Sequence, residues 1–306
     1  MFDSDRDARV RMAAFEWLSG AVRMHGDVLP RSLLAGGFVL DDARVPLVGP
    51  QGIFKPRVLD EVPLSITTAP EGPYDDAFGP DGLLRYRYRG TDPDHPDNRG
   101  LRACIVRQLP LIYFHGIAPG RYVPAWPVFV VDDDPASLAF TVAVDDISHA
   151  RLGRSAGAKT VRDEADAARR AYITATVRVR LHQQAFRERV LEAYRRQCAF
   201  CRLRHEELLD AAHIVPDPDP LGEPVVRNGL ALCTLHHAAF DRFFLGVRPD
   251  YVIQVRPDVL AEGNGPTLVY AIQGLHGSRI VLPAFPRDHP DRELLEIRYE
   301  QFMQAV

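Results

Sequence analysis

Apolar residues recur at helical spacing over residues 5–24, where Val10, Ala14, Trp17, Leu18 and Val22 form one stripe and His25-Gly26-Asp27 ends the pattern. From Leu29 to about Val144 the period changes. Short apolar runs broken by proline and glycine occur at residues 38–40, 45–48, 64–67, 83–88, 103–106, 111–114, 128–131 and 140–144. Strands this short and this frequent predict a sheet-rich barrel or sandwich. Residues 151–160, rich in Gly, Ser and Ala, read as a linker, followed by two helices at about 162–171 and 181–196. Farther on, the pattern predicts strands at 251–255, 268–272 and 279–282 and a terminal helix over 291–303. The expected architecture is α+β, with a sheet-rich domain at 1–150, a helical linker at 151–180 and a second domain at 181–306.

Charge refines this organisation. The net charge of −4 gives no global signal for nucleic acid, but residues 151–204 hold thirteen arginines and Lys159 against five acids, a local net of +9. Such a segment is either a phosphate track or a solvated helical face. Lys55 and Lys159 are the only lysines. Arginine is the better fork for phosphate and guanine, although a GC-rich coding sequence produces the same bias. The acidic runs 132–134 and 145–146 read as solvated loop ends. Of four cysteines, three belong to one pattern and only Cys104 remains, which excludes a disulfide framework and fits a reducing cytoplasm. No signal region and no 18-residue apolar run is visible, so neither export nor membrane insertion is expected.

The densest chemistry lies between Cys198 and Asp241. Cys198, Cys201, Cys233 and His236 form a C-x2-C and a C-x2-H knuckle separated by 31 residues. Four soft ligands in this spacing close a tetrahedral structural zinc site. That zinc has no use for His213, Asn228, His237 and Asp241. His213 opens a segment read as a strand end, Asn228-Gly229 is a turn signal, and Leu230–Cys233 reads as the return strand. On the next helix, His237 and Asp241 lie four apart and share a face. A neutral imidazole at His213 suits a general base for water. A divalent cation on His237 and Asp241 would stabilise a leaving oxygen, and Asn228 can hydrogen-bond the imidazole and orient it.

Two strands and a helix carrying His, Asn, His and Asp resemble the HNH, or ββα-metal, nuclease family. The resemblance implies His213 as general base, Asn228 as orienting residue, and His237 and Asp241 as ligands of Mg²⁺ or Mn²⁺. Many members carry a further ligand immediately before the base, where this chain has Ala212. Asp210 either compensates or is a surface carboxylate.

In the amino-terminal half, Leu84, Tyr86 and Tyr88 fall on one face of a predicted strand, with Arg85, Arg87 and Arg89 on the other. An aromatic face of this kind can stack a base, or it can be the core side of an edge strand. Residues 111–127, with Tyr113, Phe114, His115 and Trp126, line a pocket or form core. Tyr74, Asp75 and Asp76, followed by Tyr88-Arg89-Gly90, resemble the SRA domain, a barrel of the PUA superfamily that flips 5-methylcytosine into an aromatic and acidic pocket. Together the two halves are similar to modification-dependent restriction endonucleases of the SRA-HNH type. That resemblance implies structural Zn²⁺, a catalytic Mg²⁺ or Mn²⁺, and double-stranded DNA containing 5-methyl- or 5-hydroxymethylcytosine as substrate. Because one centre cuts one strand, a homodimer is expected. Two other readings stay open: a reader of modified DNA with an inactive zinc module, and an HNH nuclease that reads another mark such as N6-methyladenine.

Overall fold

The computed structural model describes residues 2–69, 79, 83–145, 161–217, 219–263 and 265–305. The chain divides into two compact units, Met1–Gln184 and Ala185–Val306.

The first unit opens with helix α1 (Ser4–His25), capped by Asp3, whose side chain accepts from the Asp5 and Arg6 amides. Val10, Ala14 and Leu18 of the expected stripe are buried, and Trp17 stacks on Phe38. The buried face also carries an ion pair that the apolar pattern does not reveal. Arg11 bonds Asp7 one turn earlier and donates to the carbonyls of Pro63 and Pro110, so neither charge is left without partners.

The strands are β1 (Leu29–Pro30), β2 (Phe38–Leu40), β3 (Ala43–Val45), β4 (Ile53–Phe54), β5 (Ser65–Thr68), β6 (Leu84–Arg87), β7 (Leu111–Ala118), β8 (Arg121–Asp134) and β9 (Ala139–Val144). Seven of them form one sheet in the order β4-β5-β7-β8-β9-β6, with β1 also on β8, and β5 runs parallel to β7. Among the described residues β4 and β6 end this order, and the sheet curls so that the Tyr86 hydroxyl of β6 reaches the Thr67 carbonyl of β5 at 3.4 Å. Between β1 and β2 lies α2 (Arg31–Gly36).

Residues 103–106, expected as a strand, belong instead to helix α3 (Pro96–Arg107). Pro96 fits the first helical position, the His95 side chain caps the start, and Leu101 and Cys104 bury one face. Burial pushes the Cys104 thiol up to about 12, which leaves it inert. Of the acidic runs, Asp132–Asp134 end β8 with Asp132 and Asp134 exposed, whereas Asp145 is buried and pairs with Arg170 at 2.7 Å, and Asp146 lies outside the described residues.

The linker expected at 151–160 lies outside the described residues. The two helices expected after it are one, α4 (Val161–Ala193), which contains neither glycine nor proline to interrupt it. The chain then passes through left-handed conformations at Arg195 and Arg196. Arg196 is anchored there by the buried Glu188 and by Glu206.

The second unit contains β10 (Leu209–His213), β11 (Gly229–Cys233), α5 (Thr234–Asp241), β12 (Leu245–Val247), β13 (Ile253–Val255), α6 (Pro257–Ala261), α7 (Pro266–Ala271) and α8 (Arg292–Gln304). Residues 268–272, expected as a strand, fall in α7, which proline opens. Residues 279–282 make a single bridge, Arg279 to Val252, rather than a strand. The terminal helix stands where the pattern put it.

Candidate active site

Strands β10 and β11 pair antiparallel, with Leu209 opposite Cys233 and His213 opposite Gly229, and α5 comes directly after β11 without a loop. His213 therefore closes its strand rather than opening a segment. Asn228 closes a single 3-10 turn, Val226–Asn228, and Gly229 starts β11 in extended conformation. Its lack of a side chain serves a close approach. A Cβ there would meet Val190 Cγ2 at 2.4 Å and Phe186 Cζ at 3.0 Å on α4.

The metal knuckles come together as spaced. The left-handed Arg202 turns the chain so that its amide bonds the Cys198 carbonyl at 3.0 Å, bringing Cys201 back beside Cys198. Ligand atoms of Cys198, Cys201, Cys233 and His236 all lie within 4.8 Å of one another. A tetrahedron with 2.3 Å metal–sulfur bonds has sulfur–sulfur edges of about 3.8 Å. Here Cys201 and Cys233 Sγ are 4.0 Å apart, and His236 Nδ1 is 3.4 Å and 3.1 Å from the sulfurs of Cys198 and Cys233. The other ring nitrogen, Nε2, donates to the Ala271 carbonyl at 2.7 Å, which leaves Nδ1 free as the ligand. The set fits structural zinc.

The next residue, His237, faces away from that site, since successive helical positions are about 100° apart. Its ring lies between two carboxylates, with Nδ1 3.4 Å from Asp210 and Nε2 3.3 Å from Asp241. Two ligands on adjacent octahedral positions about 2.1 Å from one ion sit about 3.0 Å apart, so Nε2 and Asp241 fit one divalent cation. Asp210 lies on the opposite nitrogen, where a carboxylate behind a metal-bound histidine would orient the imidazole. The Asp210 bond raises the His237 pKa, against burial. Arg187 pairs with Asp210 at 3.4 Å.

His213 lies near enough to Asp217, His237, Asp210 and Asp241 for all four to act on its charge. Burial is the largest influence and lowers its pKa below the usual 6.5, so the ring is neutral at pH 7. It stacks on Phe186 with centroids 4.0 Å apart and planes at 17°.

Asn228 corrects an expectation about contacts. Its side chain does not bond the imidazole. The fully buried amide accepts from the Val215 amide at 2.9 Å and donates to the carbonyls of Val215 and Glu223 at 2.9 and 3.1 Å. It thus staples the loop leaving His213 to the loop entering β11. Asn228→Ala would strand two buried main-chain groups and is expected to cost about 2–4 kcal/mol, read as a lower denaturation midpoint.

Arg298 of α8 escapes the motif altogether. Its guanidinium covers the Phe240 and Phe243 rings and reaches the Phe240 and Asp241 carbonyls at 3.1 and 3.4 Å, capping the end of α5. The signal in the sequence is an arginine between Leu295 and Phe302 on a buried helical stripe.

In the first unit, Tyr74, Asp75 and Asp76 lie outside the described residues. Tyr86 on β6 and Tyr88 directly after it are buried, while Arg85, Arg87 and Arg89 are half-buried or exposed, as alternation predicts. Tyr88 donates to Asp133, accepts from Arg102 at 3.3 Å and packs on Phe140, while Tyr86 reaches the Thr67 carbonyl at 3.4 Å. These are the contacts of core tyrosines, the second of the two readings open to them.

Residues 198–248, which span the ββα unit and its four candidate zinc ligands, match the model of the HNH endonuclease family (HNH_2). A solved structure similar to this chain is described as "Modification dependent TagI restriction endonuclease"; the two share 16% identity over 79% of this chain and 82% of that one, with a TM-score of 0.29. No curated protein matches the chain. No helix among the described residues is long and apolar enough to cross a membrane.

Proposed function

We propose that this protein is a metal-dependent endonuclease that cuts double-stranded DNA containing 5-methyl- or 5-hydroxymethylcytosine. The observation that carries the nuclease reading is the placement of a neutral His213 beside the His237–Asp241 pair on one zinc-stapled ββα unit. His213 takes the proton of the attacking water, which approaches the phosphorus in line with the leaving oxygen. Asn228 ties the loop leaving that base to the loop entering β11. His237 and Asp241 would hold a divalent cation, which would supply charge stabilisation at the leaving oxygen. Asp210 keeps the His237 ring in position for it, and Arg187 steadies Asp210.

The amino-terminal unit reads the modification as an SRA-like barrel. A mark on a base is best inspected by extruding the base, at a cost of about a few kcal/mol. Tyr74 would stack the extruded ring, and Asp75 or Asp76 would accept from the cytosine amine and reject thymine. The sequence resemblance at these three residues supports that reading. Two copies acting together make the double-strand break. Sedimentation with and without DNA tests this, and a monomer under both conditions contradicts it.

One observation favours the alternative of a silent module that only reads DNA. Ala212 stands where many nucleases of this type place a ligand, and Asp210 lies against the Nδ1 side of His237. Incubation of modified duplex DNA with protein in Mg²⁺ or Mn²⁺, against a chelator control, separates the two. Cutting supports the nuclease, and binding without cutting supports the reader. Asp210→Ala is expected to weaken Mn²⁺ binding about 10–100-fold while zinc content stays unchanged, as measured by calorimetric titration.

A further inference from the structure

We propose that Phe186, on the α4 helix upstream of the matched domain, is a positioning residue that holds the His213 imidazole in its working orientation. This inference rests on the nuclease reading of His213. It starts from a bond that the ring lacks. A histidine base normally has one ring nitrogen tied to a carboxylate or carbonyl, which fixes its orientation and tautomer. Here His213 Nε2 is buried without a hydrogen-bond partner among the described residues, and Asn228 spends its amide on the neighbouring backbone. His213 is also the last residue of β10, and beyond it the chain is held by Asn228, whose carbonyl accepts from the Ile214 amide at 3.0 Å and whose side chain accepts from the Val215 amide at 2.9 Å.

Phe186 supplies the missing constraint. Its ring lies 4.0 Å from the imidazole and within 17° of parallel, a stack that restricts rotation about the Cβ–Cγ bond. The phenyl ring is itself fixed. It is buried, and it occupies the space left by Gly229, the cross-strand partner of His213, where a Cβ would meet it at 3.0 Å. The adjacent residue grips the other end of the same strand. Arg187 donates to the Leu209 and Glu206 carbonyls at 2.7 and 3.3 Å and pairs with Asp210. Two consecutive helical residues thus hold both ends of β10, one at the base and one at the carboxylate behind His237. The catalytic centre extends beyond residues 198–248 to include this helix.

The test uses the full-length protein with Phe186→Met and Phe186→Leu, which keep apolar volume and remove the flat ring. Single-turnover cleavage, duplex binding and zinc content are measured together across pH. The expected result is a kcat about 10–100-fold lower, with DNA affinity and zinc retained. The acid limb of the rate profile should also move toward the ordinary histidine value. The charged and titratable groups facing the ring, Asp210, Asp217, His237 and Asp241, are unchanged in both variants. Cleavage at the wild-type kcat with an unmoved limb overturns the proposal. Loss of zinc in both variants moves the decision to the wild type, where the stack is expected to shift the His213 ring protons upfield. Ordinary shifts there overturn the proposal. An inactive wild type contradicts the nuclease reading instead, and the same proton shifts then decide on the stack alone.

Discussion

Removal of zinc is expected to unfold the second unit and leave the first standing. A structural zinc contributes roughly 10–16 kcal/mol of apparent binding free energy at neutral pH, comparable to or larger than the roughly 5–15 kcal/mol net stability of a whole domain. The four candidate ligands come from three places, the Cys198–Cys201 turn, the end of β11 and the start of α5, so a metal there would close the ββα unit on the strands that carry His213. Without it, three thiols and an imidazole would crowd one another around an empty centre. Both tryptophans, Trp17 and Trp126, belong to the first unit and provide an internal control. With a strong chelator, far-UV ellipticity and cleavage should fall together while tryptophan fluorescence holds, and added zinc should restore both. Cys198→Ser or Cys233→Ser should behave as the chelated protein does. Unchanged ellipticity after complete zinc removal would show that packing alone sustains the unit.

Replacing His213 by alanine is expected to lower the cleavage rate by about 10²–10⁴, the usual contribution of a positioned general base. DNA binding and zinc content should survive, because His213 touches neither knuckle. The wild-type pH profile has a definite sign. Burial lowers the imidazole pKa below 6.5, so the base is neutral throughout the physiological range. Activity should be flat near pH 7 and fall only as pH drops through that lowered value. An acid limb centred well above 6.5 would mean that some other group limits the rate. A His213→Ala protein that cuts at the wild-type rate would remove His213 from the chemistry.

The parts of this site that were legible in the sequence are those governed by short-range chemistry. The spacing of Cys198, Cys201, Cys233 and His236 is dictated by the ligand number and reach of one tetrahedral metal, and His237 with Asp241 share a face because a helix has 3.6 residues per turn. The remaining features depend on contacts between elements distant in sequence. Nothing in the motif says that Asn228 will spend its amide on Val215, that Asp210 will meet the far nitrogen of His237, or that Phe186 and Arg298 will press on the base and on the end of α5. The two apolar runs that turned out helical have a local cause. Residues 103–106 and 268–272 are short stretches whose composition suits strand and helix alike. Pro96 and Pro266, each at a first helical position, were the deciding signals.

The most direct test of the account is digestion of matched duplexes containing cytosine, 5-methylcytosine, 5-hydroxymethylcytosine or N6-methyladenine in Mg²⁺ or Mn²⁺, with His213→Ala run beside the wild type. The account predicts cutting of the two modified-cytosine duplexes alone, and none by the variant. Cutting of every duplex would leave the nuclease standing and contradict the reading of modified cytosine, and no cutting of any duplex would contradict the nuclease itself.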